Sequence, residues 1–129
     1  MTISRRRALL LAIASIIAVL LLQAFNSFAC YKHDVSTFLS STAIFLAIPL
    51  LPALVSLAFP NPLPAVGACA LLAPWLLLAY YTDCVRPYSG GGASMIYVAV
   101  LFWGTPSALI GAFVTGPVTR RLGIAVNER

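Results

Sequence analysis

Four long apolar runs without ionisable side chains dominate this sequence. They cover residues 8–28, 38–59, 63–81 and 93–116, and none contains a lysine, arginine, aspartate, glutamate or histidine. A bilayer core about 30 Å thick is crossed by about 20 helical residues, at a rise of about 1.5 Å each. The sequence therefore predicts an all-α fold, in which four transmembrane helices form a single integral membrane domain over residues 1–129.

The low charge content supports the same fold class. Hydrophobic residues make up 61% of the chain and charged residues only 9%, whereas a soluble domain typically contains about 25% charged residues. A chain with so few charges cannot cover a water-exposed surface with polar groups. We therefore expect the lipid bilayer to be the medium that surrounds the protein.

The arginines predict how the helices are oriented. Three precede the first apolar run and three follow the last: Arg5, Arg6, Arg7, Arg120, Arg121 and Arg129. Basic residues beside apolar spans mark the cytoplasmic side, so both termini are expected in the cytoplasm, which requires an even number of spans. The bacterial inner membrane is the expected location. A nucleic-acid partner is not expected, because the arginines are divided between the chain ends instead of forming one basic patch.

The first apolar run has a second interpretation. Ser27-Phe28-Ala29 before Cys30 resembles the small-x-small pattern at which a signal peptide is cleaved. Cleavage there would leave three helices and the same cytoplasmic C-terminus. However, the run 8–28 is longer than the roughly 7–15 apolar residues of a signal peptide, and Phe28 departs from the small-residue pattern of a lipoprotein site. We therefore expect an uncleaved first helix.

The three cysteines are well separated in the sequence. Cys30 and Cys84 follow the predicted outer ends of the first and third helices, where an oxidising compartment would preserve a disulfide. We predict a Cys30–Cys84 bridge, with unpaired thiols or a bridge to another chain as the alternatives. Cys69, inside the third run, is expected to be a packing residue. No C-x-x-C pair is present, so a thiol oxidoreductase is not expected.

Small residues recur every four positions in the fourth run. They are Gly104, Ala108, Ala112 and Gly116, with Ser107, Gly111 and Thr115 beside them, and a weaker strip in the first run contains Ala14 and Ala18. Such residues let two helix backbones approach closely. The strip predicts packing against the protein's own helices or, alternatively, docking of another membrane protein or of a second copy of this chain.

Prolines and polar residues interrupt the apolar runs. Prolines are expected to kink the second, third and fourth helices at Pro49, Pro52, Pro74 and Pro106. Near the outer end of the first helix, Gln23, Asn26 and Ser27 share one face. They are expected to form hydrogen bonds between helices; the alternative is a shallow pocket that opens outward.

No catalytic, metal or cofactor motif is present, and His33 has no second ligand at a metal-binding spacing. The sequence therefore favours a small membrane protein that is not an enzyme and contains no cofactor. We expect it to act through helix contacts with a membrane partner, as an accessory subunit or as an immunity-type protein that blocks a membrane-acting toxin. The alternative is a small oligomeric transporter or channel for an uncharged or small solute, because ion-coupled carriers usually hold an ionisable residue within the membrane.

Overall fold

The structure, a computed structural model, describes residues 2–30, 34–81 and 96–127. This part of the chain contains a short strand β1 (Thr2–Ser4) and helix α1 (Arg5–Phe25), which continues into a π-helical turn (Asn26–Cys30). Helices α2 (Val35–Phe45), α3 (Ala47–Ser56), α4 (Pro64–Tyr80) and α5 (Ile96–Arg121) follow in that order, and a second strand, β2, covers Ala125–Asn127. The fold is thus mostly helical, as the apolar runs predict.

Helix α1 begins three residues before the predicted start at residue 8. Ser4 caps it, because its Oγ accepts a hydrogen bond of 3.3 Å from the backbone N–H of Arg7. The segment contains neither glycine nor proline, so nothing in it interrupts the helical hydrogen bonds. With most of the π-helical turn added, it forms one apolar helix over Arg5–Ala29.

The predicted continuous helix over residues 38–59 is in fact two helices. Asp34 starts α2 by accepting a hydrogen bond of 2.8 Å from the Thr37 N–H. The chain then turns by 70° at Leu46 before α3 begins. Pro49 lies four residues after Phe45, so it has no N–H to donate to the Phe45 carbonyl, and its ring crowds that carbonyl. The sequence predicts a proline kink within one helix, whereas the structure shows a break between two helices.

Helix α4 is the central helix of the bundle and packs against α1, α3 and α5. It starts with Pro64 in its first turn, where a missing N–H costs nothing. Just before it, the Asn61 Oδ1 accepts a hydrogen bond of 3.1 Å from the Leu63 N–H. Its buried side chains recur along the whole helix: Ala65, Ala68, Cys69, Leu72, Leu76 and Ala79. With 17 residues it is shorter than the usual transmembrane span.

The chain ends meet in a two-stranded parallel sheet that the sequence does not predict. Helix α5 ends at Arg121 and is followed by Gly123, whose φ of 71° is left-handed. The N–H groups of Gly123 and Ile124 donate to the carbonyls of Arg120 and Thr119, which forms a Schellman cap. The chain then reverses, and β2 pairs with β1 in the register Ile3 to Val126. The first and last described segments are therefore adjacent.

Two described helices are long and apolar enough to cross a membrane, Arg5–Ala29 and Val98–Arg121, and there are three if the bent α2–α3 pair is one span. Large apolar side chains cover much of the molecular surface. On α5, for example, Phe102, Trp103 and Phe113 are 69%, 62% and 78% exposed. A surface of this kind fits lipid better than water.

Candidate functional site

The closest helix contact in the bundle joins α4 to α5. A Cβ built on Gly111 would collide with the Gly67 carbonyl group, whose carbon would be only 2.7 Å away. A Cβ on Gly67 would collide with Thr115 and with the Gly111 carbonyl in turn. One turn before Gly111 on α5, the Ser107 Oγ accepts a hydrogen bond of 2.9 Å from the Trp75 Nε1–H. The row Ser107, Gly111 and Thr115 therefore faces α4.

The small-residue strip on α5 lies beside that row and changes its surroundings along the helix. A Cβ on Gly104 would be 2.9 Å from the Leu72 Cδ1, and Ala108 is fully buried. Ala112 is only partly buried against the core, and a Cβ on Gly116 would meet nothing within 4 Å. The first half of the strip thus packs inside the bundle, whereas the second half reaches its surface.

The weaker strip in α1 does not pack as predicted. Ala14 and Ala18 are exposed, whereas Ala8 and Ala12 are fully buried. The buried stripe of α1 continues through Ile16 and Val19 to the polar residue Gln23. The pairs Ala8/Ala12 and Ala14/Ala18 have the same spacing, so the sequence alone does not show which pair is buried. In a uniformly apolar helix, the hydrophobic pattern does not indicate which face packs against α4.

A surface groove separates α3 from α5, and we call it the α3/α5 groove. It has a volume of about 500 Å³, within the range of about 300–1,000 Å³ that is typical of ligand sites. Its walls are lined mainly by apolar side chains: Ile48, Leu51, Pro52, Val55, Ser56, Phe59, Pro64, Thr105, Leu109, Ala112 and Phe113. Among them, the sequence singles out only Ala112 as a packing residue and Pro52 as a kink, and it does not predict the groove, which exists only once α3 has turned away after the break.

The two hydroxyl groups in the α3/α5 groove are engaged with their own helices. The Ser56 Oγ donates to the Pro52 carbonyl at 2.7 Å, and the Thr105 Oγ1 donates to the Leu101 carbonyl at 2.7 Å. None of the residues that line the groove is ionisable. The groove can therefore accept an apolar surface, but it has few means of recognising a polar or charged molecule.

A buried polar cluster lies at the opposite end of α1 from the chain terminus. Gln23, Asn26 and Ser27 are at most 1% exposed. The Gln23 Nε2 donates to the Ser27 Oγ at 3.4 Å, and the Asn26 Nδ2 donates across to the Leu76 carbonyl of α4 at 3.1 Å. Among the residues that the structure describes, the Asn26 Oδ1 has no hydrogen-bond partner. The bond to Leu76 joins two helices, as the sequence predicts, but it does not satisfy the buried acceptor Asn26 Oδ1.

The predicted disulfide falls partly outside the described residues. Cys84 belongs to the segment 82–95, which the structure does not describe, and Cys30 ends the π-helical turn. The Cys30–Cys84 bridge therefore stays a prediction. Cys69 is a free, buried thiol within α4 and belongs to the apolar core.

The arginines of the described chain ends lie near the paired strands. The Arg5 guanidinium donates to the Phe59 carbonyl at 3.5 Å, which places the start of α1 beside the hairpin between α3 and α4. Arg6, Arg7, Arg120 and Arg121 are exposed. The aromatic rings of Phe25 and Tyr80, with centroids 5.3 Å apart, mark the other end of the α1–α4 pair.

Comparison of the chain with known protein families, with characterised proteins and with solved structures gives no match. Within residues 2–30, 34–81 and 96–127, no group of three or more histidine, cysteine, aspartate or glutamate side chains could hold a metal ion. The geometry of the grooves and of the buried polar cluster is therefore the basis for a functional hypothesis.

Proposed function

We propose that this chain is a small integral membrane protein that binds an apolar transmembrane helix of a partner protein in the α3/α5 groove. The observation that carries the proposal is the groove itself, which is apolar, open at the surface and about 500 Å³ in volume. An accessory subunit or an immunity-type protein would use such a contact, because each acts by binding a partner and needs no catalytic residues.

A transmembrane helix suits this groove for physical reasons. Helices associate in lipid through close van der Waals packing. Lipid chains are as apolar as leucine, so the hydrophobic effect does not drive helix association there. Small residues that allow close approach are therefore favoured. Ala112 and Ser56 supply such positions within the α3/α5 groove, while Phe113 and Phe59 project beside them as larger contacts.

The proposed topology has four crossings, by α1, the bent α2–α3 pair, α4 and α5, with both ends in the cytoplasm of a bacterial cell. The pairing of β1 with β2 supports an even number of crossings, because an odd number would separate the two ends across the bilayer. The arginines at both ends support the cytoplasmic side. Helix α4 is short for a span, but α1, α3 and α5 pack against it and bury six of its side chains.

A photo-reactive residue placed in the groove of the full chain in native membranes tests the proposal. At Leu109, which lines the groove, it should form one discrete protein adduct. At Ile110, an exposed neighbour that is not among the lining residues, it should form none. Adding Val55→Trp, which fills the groove from the α3 side, should abolish the Leu109 adduct. Adducts of equal yield from both positions, or adducts with lipid alone, would contradict the proposal.

A second candidate function is passive transport of a small uncharged solute. The broken α2–α3 segment favours it, because transporters build binding sites beside broken helices. A second polar position is the buried Asn26 Oδ1, which has no partner within the described part of the chain. Vesicles that contain the protein should then swell faster in glycerol or urea than empty vesicles, and Asn26→Leu should remove the difference. Equal swelling rates with and without protein would exclude this function for these solutes.

A further inference from the structure

A second groove lies near the chain ends, between α1, α4 and α5, and we call it the terminal groove. It has a volume of about 380 Å³ and almost entirely apolar walls. Leu11 of α1 and Val114 and Val118 of α5 line it, while Ile3 of β1 and Ile124 line it from the strand segments. The terminal groove is a different site from the α3/α5 groove, so its ligand is independent of the proposed partner helix.

Two arginines, one in α1 and one in α5, lie one helical turn from residues that line the terminal groove. Arg7 lies one turn before Leu11 on α1, and Arg121 lies one turn after Val118 on α5, so each shares a helix face with a lining residue. In sequence, Arg7 stands between the lining residues Ile3 of β1 and Leu11 of α1, and Arg121 stands between Val118 of α5 and Ile124, which precedes β2. Both arginine side chains are exposed.

The charge at this end of the molecule is strongly unbalanced. The described residues of the two terminal segments, 2–7 and 119–127, contain five arginines and no acidic residue. Guanidinium groups bind phosphate oxygens with two parallel hydrogen bonds. An apolar groove with an arginine one turn from its lining on each of two helices is thus complementary to a molecule that has a long apolar chain and an anionic phosphate.

We propose that the terminal groove binds an anionic phospholipid, with an acyl chain between α1 and α5 and the phosphate held by Arg7 and Arg121. Basic pockets between transmembrane helices on the cytoplasmic side bind anionic lipid headgroups in this way. The lipid would fill the space beside the close Gly67–Gly111 contact, since both glycines also line the terminal groove.

Native mass spectrometry of the full-length protein tests this proposal directly. The protein is released from vesicles of equimolar phosphatidylglycerol and phosphatidylcholine with the same acyl chains. We expect one retained phosphatidylglycerol per chain, and a retention that falls roughly fivefold in Arg7→Gln and again in Arg121→Gln. Arg6→Gln removes the same charge from the adjacent position, above Leu10 instead of Leu11, and should retain the lipid as the unaltered protein does.

Variants of the apolar wall complete the experiment. Val114→Trp fills the terminal groove and should abolish retention, whereas Ile110→Trp, one turn earlier on α5 and outside the lining, should not. Equal retention of the two lipids, or an equal loss in Arg6→Gln and Arg7→Gln, would overturn the proposal in favour of unspecific attraction to the membrane surface. A lipid-independent dimer that Val114→Trp dissociates would overturn it in favour of a second chain in the groove.

Discussion

At the scale of single residues, two glycines and one asparagine decide how α4 meets its neighbours. Gly67 and Gly111 allow the α4 and α5 backbones to touch, since a methyl group on either would overlap the other helix. Asn26, in the π-helical turn that continues α1, donates a hydrogen bond to the α4 backbone, and its buried Oδ1 has no partner among the described residues. Many of the large apolar side chains, by contrast, face outward.

Gly111→Ala should destabilise the protein, and Gly116→Ala should not. Both glycines lie inside α5, so alanine improves helix propensity at each by up to about 1 kcal/mol. At Gly111 the added methyl group overlaps the Gly67 backbone, and overpacking of this kind costs about 1–3 kcal/mol. At Gly116 the methyl group meets nothing within 4 Å. The measurement is the thermal unfolding midpoint in detergent, and equal midpoints for the two variants would contradict the α4–α5 contact.

Asn26→Leu should leave the free energy of unfolding unchanged or raise it by about 1 kcal/mol. The substitution loses the hydrogen bond to the Leu76 carbonyl, and such bonds between membrane helices stabilise by only about 0.6 kcal/mol on average. It also removes the buried Oδ1, and an unpartnered acceptor costs about 1–3 kcal/mol. Unfolding in a detergent mixture measures the difference. A loss of stability greater than about 1 kcal/mol would mean that the Oδ1 is bound by water or by a ligand.

At the scale of elements, the sequence predicts where apolar helices lie but not how they break or meet. The charge-free runs and the Pro60-Asn61-Pro62 turn are sufficient to locate α1, α4 and α5. The 70° turn at Leu46 could not be foreseen, because a proline kink has no fixed angle and the final angle depends on packing around it. The contact of Gly67 with Gly111, and the burial of Ala12 instead of Ala14, depend on how each helix is rotated about its axis. The hydrophobic pattern of a uniformly apolar helix does not specify that rotation.

Pro49→Ala should open the angle between α2 and α3. Spin labels at the exposed residues Val35 and Val55 span 20 residues, which is about 30 Å in a straight helix but about 25 Å with the observed 70° turn. Alanine restores an N–H that can bond to the Phe45 carbonyl, so the distance should lengthen toward 30 Å. Pro52→Ala, one turn further along α3, is the matched control and should leave it near 25 Å. An unchanged distance in Pro49→Ala would assign the turn to packing of the buried Leu46.

At the scale of the whole molecule, the arrangement of the ends links the fold to the bilayer. The β1–β2 pair, the arginines at positions 5–7, 120 and 121, and the contact of Arg5 with the Phe59 carbonyl all lie at one end of the bundle. The buried polar cluster and the Phe25–Tyr80 ring contact lie at the other. The molecule is therefore polarised along its long axis, with its described cationic side chains at the end where its chain begins and finishes.

The predicted disulfide follows from this polarity. If α1 and α4 both point away from the chain ends, Cys30 and Cys84 follow them on the same side of the membrane. Mass analysis of purified protein without reductant should show one Cys30–Cys84 bridge and a free Cys69, which is buried in α4. The Cys69→Ala variant should retain the bridge. Two outer thiols that react with an alkylating agent after oxidative purification would contradict the prediction.

The orientation of the whole chain can be tested with reporter fusions. A reporter at Arg129 should be active on the cytoplasmic side, because β2 pairs with β1 and both ends are rich in arginine. A reporter at Asn61 should also be cytoplasmic, since the Arg5 guanidinium reaches the carbonyl of nearby Phe59. A reporter at Gly91, in the linker before α5, should be on the outer side.

Replacing the five arginines at positions 5–7, 120 and 121 with glutamine removes the charge bias but leaves the strand pairing intact. In that variant the reporters at Asn61 and Arg129 should still share one side, even if that side is reversed in part of the population. Reporters at Asn61 and Arg129 on opposite sides would rule out four crossings, and they would also contradict the position of the α3–α4 hairpin beside the paired strands.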